Sequence, residues 1–392
     1  MRVLLVSNAG GGHLRPLLPL GRALRRAKHD VAVVVPGDFS AQAAKAGFEV
    51  FTGGLDTKTA TRLLRESATV DHSDIEDVTV SYFAGIHAPA MARDLVRILR
   101  EWRPDVVVHE EGEYATPVAA SAVGVPYACQ SWGPMRPLAL LGRMAQALQP
   151  LWERWERAPG PHGGLLRYLY LDVCPPMIQH PDITSVDVAW PVHSATTAGA
   201  EPAPAWIDQL GPGPNIFVTL GSAPMFNRAR DVFRAVVEGV GGQSGEIVVA
   251  VGRNNDPAAY GHQPSNVRIE RSIPQDALLP HCDLVIHNGG APSLLAALGH
   301  GLPILVLPRG TASQERNAEA VVRSGVGLRL APEEVTAGEI TRCVRALLVE
   351  PRFREQAAKA ERQIESMPPV DEAIKLLDRL ARDRRPLPRP GR

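Results

Sequence analysis

The sequence predicts an α/β protein of two domains, each a parallel sheet wrapped by helices. Three observations carry that prediction. Short apolar strands alternate with longer helical patterns along the chain. The alternation comes in two series, separated by a stretch rich in proline and glycine. The chain has 392 residues and 45% apolar content, enough for two ordinary cores, because single cores stop growing near ~250–300 residues.

In chain order, 3–6, 31–35 and 106–108 are strand-like, and 17–27, 88–101 and 117–122 read as helices. The second series starts at Ile216 and continues through strands at 247–251, 267–269, 284–286 and 304–306. Between them, 196–214 reads as an extended linker. The expected divisions are a first domain over 1–200, a linker over 201–214 and a second domain over 215–370. A helix over 371–384 follows, and 385–392 reads as a disordered tail from its arginine and proline content.

Composition narrows the function. Lys plus Arg and Asp plus Glu are each 42, so the formal charge is zero and nucleic acid is disfavoured as the main partner. Cys129, Cys174, Cys282 and Cys343 are widely spaced with no C-x-x-C, which offers neither a disulfide framework nor a zinc site and fits a reducing cytoplasm. The first apolar run, Val3 to Val6, is too short for a signal peptide, and no run of ~18 apolar residues predicts stable membrane insertion.

The most informative segment is 271–325, which reads strand, Gly-rich turn, helix, strand, polar loop, helix. The strand at 284–286 ends at His287, the turn Asn288-Gly289-Gly290-Ala291-Pro292-Ser293 follows, and 294–298 reads as helix. A helix N-terminus presents free N–H groups and partial positive charge, so this turn suits a diphosphate. At the front, His13 follows Gly10-Gly11-Gly12 directly after the first strand, which places it at the carboxyl edge of the sheet, where open α/β folds bind ligands. An imidazole with an ordinary pKa near ~6.5 is suited to take a proton at neutral pH.

The segment resembles the donor-binding signature of family 1 glycosyltransferases of the GT-B type, especially the actinobacterial enzymes that glycosylate natural products. Gly12-His13-Leu14-Arg15-Pro16 with Leu20 resembles the family's Gly-His-x-x-Pro-x-x-x-Leu element. Arg103-Pro104-Asp105-Val106-Val107-Val108-His109-Glu110, Tyr170-Leu171-Asp172-Val173-Cys174-Pro175-Pro176 and Phe217-Val218-Thr219-Leu220-Gly221-Ser222 resemble three further family stretches in the family's order. The resemblance covers nearly the whole chain. It implies a GT-B fold, two Rossmann-like domains whose parallel sheets face an interdomain cleft, with the helix at 371–384 crossing back onto the first domain.

The resemblance also implies site residues. His13 is the base, and Glu110 is the first candidate for the carboxylate that fixes its tautomer. Glu111 and Glu113 lie close by, and alternation along a strand edge means that Glu110 and Glu111 cannot both face His13. His287, Gly289, Gly290, Ala291 and Ser293 are implied diphosphate contacts, with Gly221 and Ser222 approaching from a second loop and Gly12 counted beside them. Ile273 and Gln275 are implied beneath the nucleobase, and Ser313 and Gln314 against the sugar.

Two departures from the family pattern bear on the substrate. Pro292-Ser293 replaces the usual Gly-Thr, removing one backbone donor. In Thr311-Ala312-Ser313-Gln314 the carboxylate that grips sugar hydroxyls in relatives has become Ser313, which points to a deoxygenated sugar. No Asp-x-Asp triplet occurs, so no metal or other cofactor is expected, and the helix end and His287 are expected to neutralise the leaving charge.

The acceptor side is less determined. Ser131, Trp132 and Met135, with 138–151, Trp152 and Trp155, fit either a hydrophobic aglycone cleft or a core-facing helix with tryptophans beneath it. Tyr82, Phe83 and His87 fit acceptor contacts or ordinary packing. The expected activity is inverting, metal-independent transfer of a deoxysugar from a dTDP-linked donor to a hydroxyl of a hydrophobic secondary metabolite. A homodimer is compatible with it. A sugar-nucleotide epimerase and a catalytically degenerate helper of another glycosyltransferase are the alternatives.

Overall fold

The computed structural model describes residues 1–193, 203–221, 230–242 and 245–389. The chain forms two compact units. The first comprises Met1–Cys174, His180–Ala195 and Met367–Arg392, and the second Pro175–Gln179 and Thr196–Ser366.

The first unit is built on seven parallel strands: β1 (Arg2–Val6), β2 (Asp30–Val35), β3 (Glu49–Thr52), β4 (Val106–Glu110), β5 (Tyr127–Gln130), β6 (Tyr170–Asp172) and β7 (Ala189–Pro191). They lie in the order β3-β2-β1-β4-β5-β6-β7. The central strands are almost wholly Val, Leu and Ala because helices cover both faces of the sheet, and Val3 to Val6 and Val106 to Val108 are fully buried. The second unit repeats the plan with β8 (Ile216–Thr219), β9 (Ile247–Ala250), β10 (Val267–Glu270), β11 (Leu284–His287), β12 (Ile304–Val306) and β13 (Gly327–Arg329), in the order β10-β9-β8-β11-β12-β13.

Each sheet therefore grows outward from its first strand in one direction, then returns to add strands on the other side. In the first unit the reversal falls between β1 and β4, where Val6 lies opposite His109. In the second it falls between β8 and β11, where Thr219 lies opposite His287. At such a reversal the loops leaving the two adjacent carboxyl ends are not drawn apart by crossover helices, which leaves a crevice for ligands.

The helix after β1 spans Gly11–Arg26 and begins earlier than the periodicity alone indicates, so His13 lies in its first turn. Pro16 and Pro19 lie inside this helix, and the Pro16 carbonyl accepts a hydrogen bond from Gln130 Nε2 at 2.7 Å. The helix Leu138–Arg154 buries Leu140, Leu141, Met144, Leu148, Leu151 and Trp152, which makes it a core helix with its tryptophan packed in the core. The helix Val370–Asp383 packs on Gly11–Arg26 and on β4.

Two stretches differ from the sequence expectation. Residues 203–214 are not an extended linker: Ile207 is buried, and the Arg268 guanidinium lies 4.4 Å from the Trp206 ring. Residues 201 and 202 lie outside the described residues. The tail expected to be disordered is tied down through Arg389. Leu387 is fully buried, its N–H donates to Tyr168 O at 2.9 Å, and its carbonyl accepts from Trp190 Nε1 at 2.8 Å. Arg389 N donates to Asp187 O at 2.8 Å. A single apolar side chain provides the anchor here, and composition does not reveal the backbone it docks against. The last three residues, 390–392, lie outside the described ones.

The four cysteines are buried, and no disulfide joins any two of them. Among the described residues no helix is long and apolar enough to cross a membrane.

Replacing the fully buried Leu387 by Ala should destabilise the first unit by about 2–5 kcal/mol. Urea unfolding followed by tryptophan fluorescence suits this test, because five of the six tryptophans lie in that unit. An unchanged midpoint would show that the tail is not docked.

Candidate functional site

In the first unit the reversal between β1 and β4 brings together two loops. The loop after β1 ends at Gly10, whose φ of 140° is poorly tolerated with a side chain, and a Cβ there would lie 2.8 Å from His13 Cδ2. Asn8 ties this loop to the next one, its Nδ2 donating to Gly112 O at 2.6 Å.

His13 Nδ1 lies 2.9 Å from Glu110 Oε1. The same oxygen accepts Asn8 N–H at 3.2 Å, and Gly112 N–H donates to Oε2 at 2.5 Å. Glu110 is fully buried, which by itself raises a carboxyl, yet the His13 charge and hydrogen bond and the two N–H donors hold it below its usual range. An ionised Glu110 is an acceptor only, so the proton between them belongs to His13 Nδ1. In the neutral tautomer that this arrangement favours, Nε2 carries the lone pair, the form a general base needs.

The neighbouring acids take other partners. Glu111 Oε1 accepts Arg136 N–H at 2.9 Å, and burial pushes its carboxyl up. Glu113 accepts Ala115 N–H and Thr116 N–H at 2.8 and 2.9 Å, capping the helix Ala115–Val123, and burial pushes it up to about 7. The choice between Glu110 and Glu111 thus resolves geometrically in favour of Glu110 as the neighbour of His13.

Aromatic rings flank His13. Trp132 meets it edge-on at 4.3 Å between centroids, Phe83 lies at 5.5 Å, and Tyr82 is 5.1 Å from Phe83. The buried Arg136 guanidinium lies 5.3 and 5.4 Å from the Phe83 and Trp132 rings and donates to Tyr114 Oη at 2.5 Å. Ser131 and Met135 are different. Ser131 is fully buried with its Oγ accepting Val173 N–H at 2.9 Å, and Met135 belongs to the hydrophobic core, so neither presents itself to an acceptor.

In the second unit the loops after β8 and β11 meet in the same way. Gly221, with φ 86°, packs against Asn288 so closely that a Cβ would lie 3.1 Å from Asn288 Nδ2. Ser222 lies outside the described residues. Gly289, with φ 83°, is wedged against the next helix, where a Cβ would be 2.8 Å from Gln314 O. Its carbonyl accepts Asn317 Nδ2 at 2.7 Å, and Gly290 N–H donates to Asn288 Oδ1 at 3.2 Å. The helix Ala291–Leu298 then starts with no side-chain cap from its N-cap residue, Gly290. Pro292 falls in its first turn, where a missing N–H costs the helix nothing.

His287 is fully buried, and burial pushes its imidazole down to about 3. It is therefore neutral and does not neutralise charge as a cation. Its Nδ1 accepts Gly289 N–H at 2.8 Å, so Nε2 carries the proton, and that atom has no partner among the described residues. Gln314 is half committed: its Oε1 accepts Arg309 N–H at 2.7 Å, leaving the amide NH₂ for a ligand. Ser313 is exposed, with its Oγ 3.2 Å from Thr311 Oγ1. Gln275 Nε2 reaches Ser293 Oγ at 3.4 Å, and Ile273 is buried beside it in the chain. Gly12 belongs to the first unit, next to His13, with open space where a Cβ would be.

Asn8, Gly112, Arg136 and Asn317 were not singled out from the sequence. A glycine two residues beyond a buried acid is the one local signal that could have found Gly112. Among the described residues no group of three or more His, Cys, Asp or Glu is arranged to hold a metal.

Comparison with known proteins decides the family. The models of the N-terminal and C-terminal domains of erythromycin biosynthesis protein CIII-like proteins match residues 22–221 and 234–380. The chain belongs to the EryCIII-like glycosyltransferases. Among curated relatives of this glycosyltransferase, the L-demethylnoviosyl transferase of Streptomyces niveus is 32% identical, over 84% of this chain and 85% of that one. The aclacinomycin-T 2-deoxy-L-fucose transferase of Streptomyces galilaeus is 26% identical, over 98% and 97%. Among solved structures, glycosyltransferase VinC in complex with dTDP aligns with a TM-score of 0.81 and 26% identity, over 98% of this chain and all (100%) of that one. The two-domain architecture of parallel sheets is thus that of GT-B glycosyltransferases, and the relatives move sugars in antibiotic pathways.

Two glycine substitutions should separate the two loops. Gly112→Ala puts a Cβ 2.9 Å from Glu110 Oε2 and 3.0 Å from His13 Cε1, and should lower kcat by roughly 10²-fold while leaving nucleotide affinity unchanged. Gly289→Ala should do the reverse, weakening nucleotide binding measured by calorimetry; identical defects in both variants would contradict this assignment.

Glu113 gives a pH test. Between its usual 4.5 and about 7 the folded protein holds a proton that the unfolded chain has lost, so this group costs stability as pH rises through that window. Glu113→Gln keeps one of the two acceptor oxygens that cap the helix and removes the titration, so a fixed loss of stability accompanies it at every pH. Urea midpoints should therefore shift in favour of the variant from pH 5 to pH 8, and a constant difference would show that the carboxyl is not raised.

Proposed function

We propose that the chain transfers a sugar from a dTDP-linked donor to a hydroxyl of a hydrophobic small-molecule acceptor, with inversion and without a metal ion. The observation that carries this reading is the pair His13 and Glu110, with Nδ1 and Oε1 2.9 Å apart and the carboxylate buried among N–H donors. His13 Nε2 takes the acceptor's O–H proton, and the oxygen attacks the anomeric carbon. The bond from that carbon to the diphosphate oxygen breaks, and its electron pair leaves with the diphosphate. One displacement of this kind inverts the configuration. Glu110 stabilises the imidazolium formed in the step.

The second unit supplies a place for the leaving group. The uncapped start of Ala291–Leu298, the backbone around Gly289 and Gly290, and the Nε2–H of His287 are preorganised donors suited to the charge that develops on the diphosphate. Neutral dipoles fixed in advance need no reorganisation as that charge appears. The preference for dTDP is supported by the nucleotide bound to VinC. A deoxygenated sugar is supported by the 2-deoxy-L-fucose named for the Streptomyces galilaeus relative.

His13→Ala should lower kcat by about 10²–10⁴-fold while dTDP affinity, titrated by calorimetry in EDTA, stays within about twofold. Glu110→Gln should lower kcat with a smaller effect on KM. Dependence of turnover on added Mg²⁺ would remove the metal-free mechanism, and a clear preference for UDP-glucose over dTDP-deoxysugars in competition would remove the donor assignment.

A further inference from the structure

Ser81–His87 forms a π-helical turn between the helices Ile75–Val80 and Ala88–Trp102. Such turns are uncommon and occur frequently at functional sites. This one has a geometric effect that can be stated. Tyr82 and His87 are five residues apart, and on an α-helix they would diverge by about 140°. The wider π turn brings their rings edge to face at 4.6 Å. Tyr82 meets Phe83 at 5.1 Å and Phe83 meets His13 at 5.5 Å, so His87, Tyr82, Phe83 and His13 form one continuous row of rings.

Within that row His87 is anomalous. It is 1% exposed, and neither ring nitrogen has a hydrogen-bond partner among the described residues. Burying two hydrogen-bonding atoms in this way costs stability. A phenylalanine would fill the same space and carry no such cost, so packing alone does not account for a histidine there. Burial keeps the imidazole neutral by holding it down to about 4, and the charges that act on it are those of His13, Glu110 and Asp38. Two of these three groups are the reacting pair, which puts His87 in the surroundings of the same site. A neutral imidazole offers one donor and one acceptor, a match for a hydroxyl or carbonyl of an uncharged organic molecule.

We infer that His87 is a specificity-determining residue of the acceptor site, hydrogen-bonding a second oxygen of an aromatic or polycyclic acceptor whose first hydroxyl gives its proton to His13; this rests on the transfer reaction proposed above. The flat rings of Tyr82, Phe83 and Trp132 take the apolar body of such a molecule, and His87 sets which oxygenation pattern is accepted. Discrimination follows because an acceptor lacking the second oxygen leaves His87 unpaired.

The test uses the full chain and two kinds of probe, 2-naphthol with one oxygen and 2,7- and 1,5-dihydroxynaphthalene with two, titrated by calorimetry. The wild-type protein should bind at least one diol roughly 3- to 10-fold more tightly than 2-naphthol, the value of one hydrogen bond. His87→Phe should erase that preference, bind 2-naphthol at least as well, and melt at the same or a higher temperature. His87→Gln, which restores a donor and an acceptor, should recover part of the preference. A preference that survives in His87→Phe, a wild-type protein with no preference, or a lowered melting temperature with both ligands weakened alike would each overturn the assignment. Parallel titration with dTDP keeps the two ideas apart: intact dTDP binding with any of these results sinks the role of His87 alone, and a wild-type protein that fails to bind dTDP sinks the transfer reading beneath it.

Discussion

A parallel sheet can add strands on both sides of its first strand only if the chain reverses its direction of growth, and both units depend on that reversal. It places the loop after β1 beside the loop after β4, and the loop after β8 beside the loop after β11. His13 and Glu110 are 97 residues apart in sequence and meet at 2.9 Å for this reason. Gly221 and Asn288 pack together in the second unit on the same principle. The remaining architecture keeps these junctions rigid: apolar strands fully buried on both faces, helices over them, and short side-chain ties such as Asn8 to Gly112 and Asn317 to Gly289.

Electrostatics then differentiates residues of the same type. Glu110, Glu111 and Glu113 stand within four positions and are all fully buried, which would raise each of them. Glu110 alone is surrounded by His13 and two N–H donors close enough to reverse that tendency. Glu113 caps a helix and stays high, so the three acids have separate tasks on one loop. His287 shows the converse. It is held neutral, and what it presents is a directed N–H and no net charge.

Much of this was legible in the sequence because parallel sheets write themselves as unbroken apolar runs, and because a glycine turn followed by a helix has few other uses. The strands β1, β2, β4 and β8 to β12, the two-domain division and the Gly-rich loops follow from local pattern, whereas β3, β5, β6, β7 and β13 carry no comparable apolar run. Contacts made across the fold do not. Ser131 reads like a polar residue beside a tryptophan, and only the position of β6 reveals that its hydroxyl is taken by Val173. The tail around Leu387 has a disordered composition, but the strand-edge backbone it joins lies some two hundred residues earlier in the chain. Arg136 carries no local signal, because its burial among Phe83, Tyr114 and Trp132 depends on three separate elements converging.

The interleaving of the two units has a consequence in time. The first unit is assembled from the beginning of the chain and from Met367 onward, whereas Thr196–Ser366 belong to the second. On the ribosome, the stretch that covers the helix bearing His13 emerges only after the whole of the second unit's main segment. The second unit can thus reach its native packing first, while β1 to β7 wait with an apolar face uncovered for the helix Val370–Asp383 and the strand-edge contacts of Leu387. Residues from Met367 onward thus complete a unit whose first strand is made more than three hundred residues earlier.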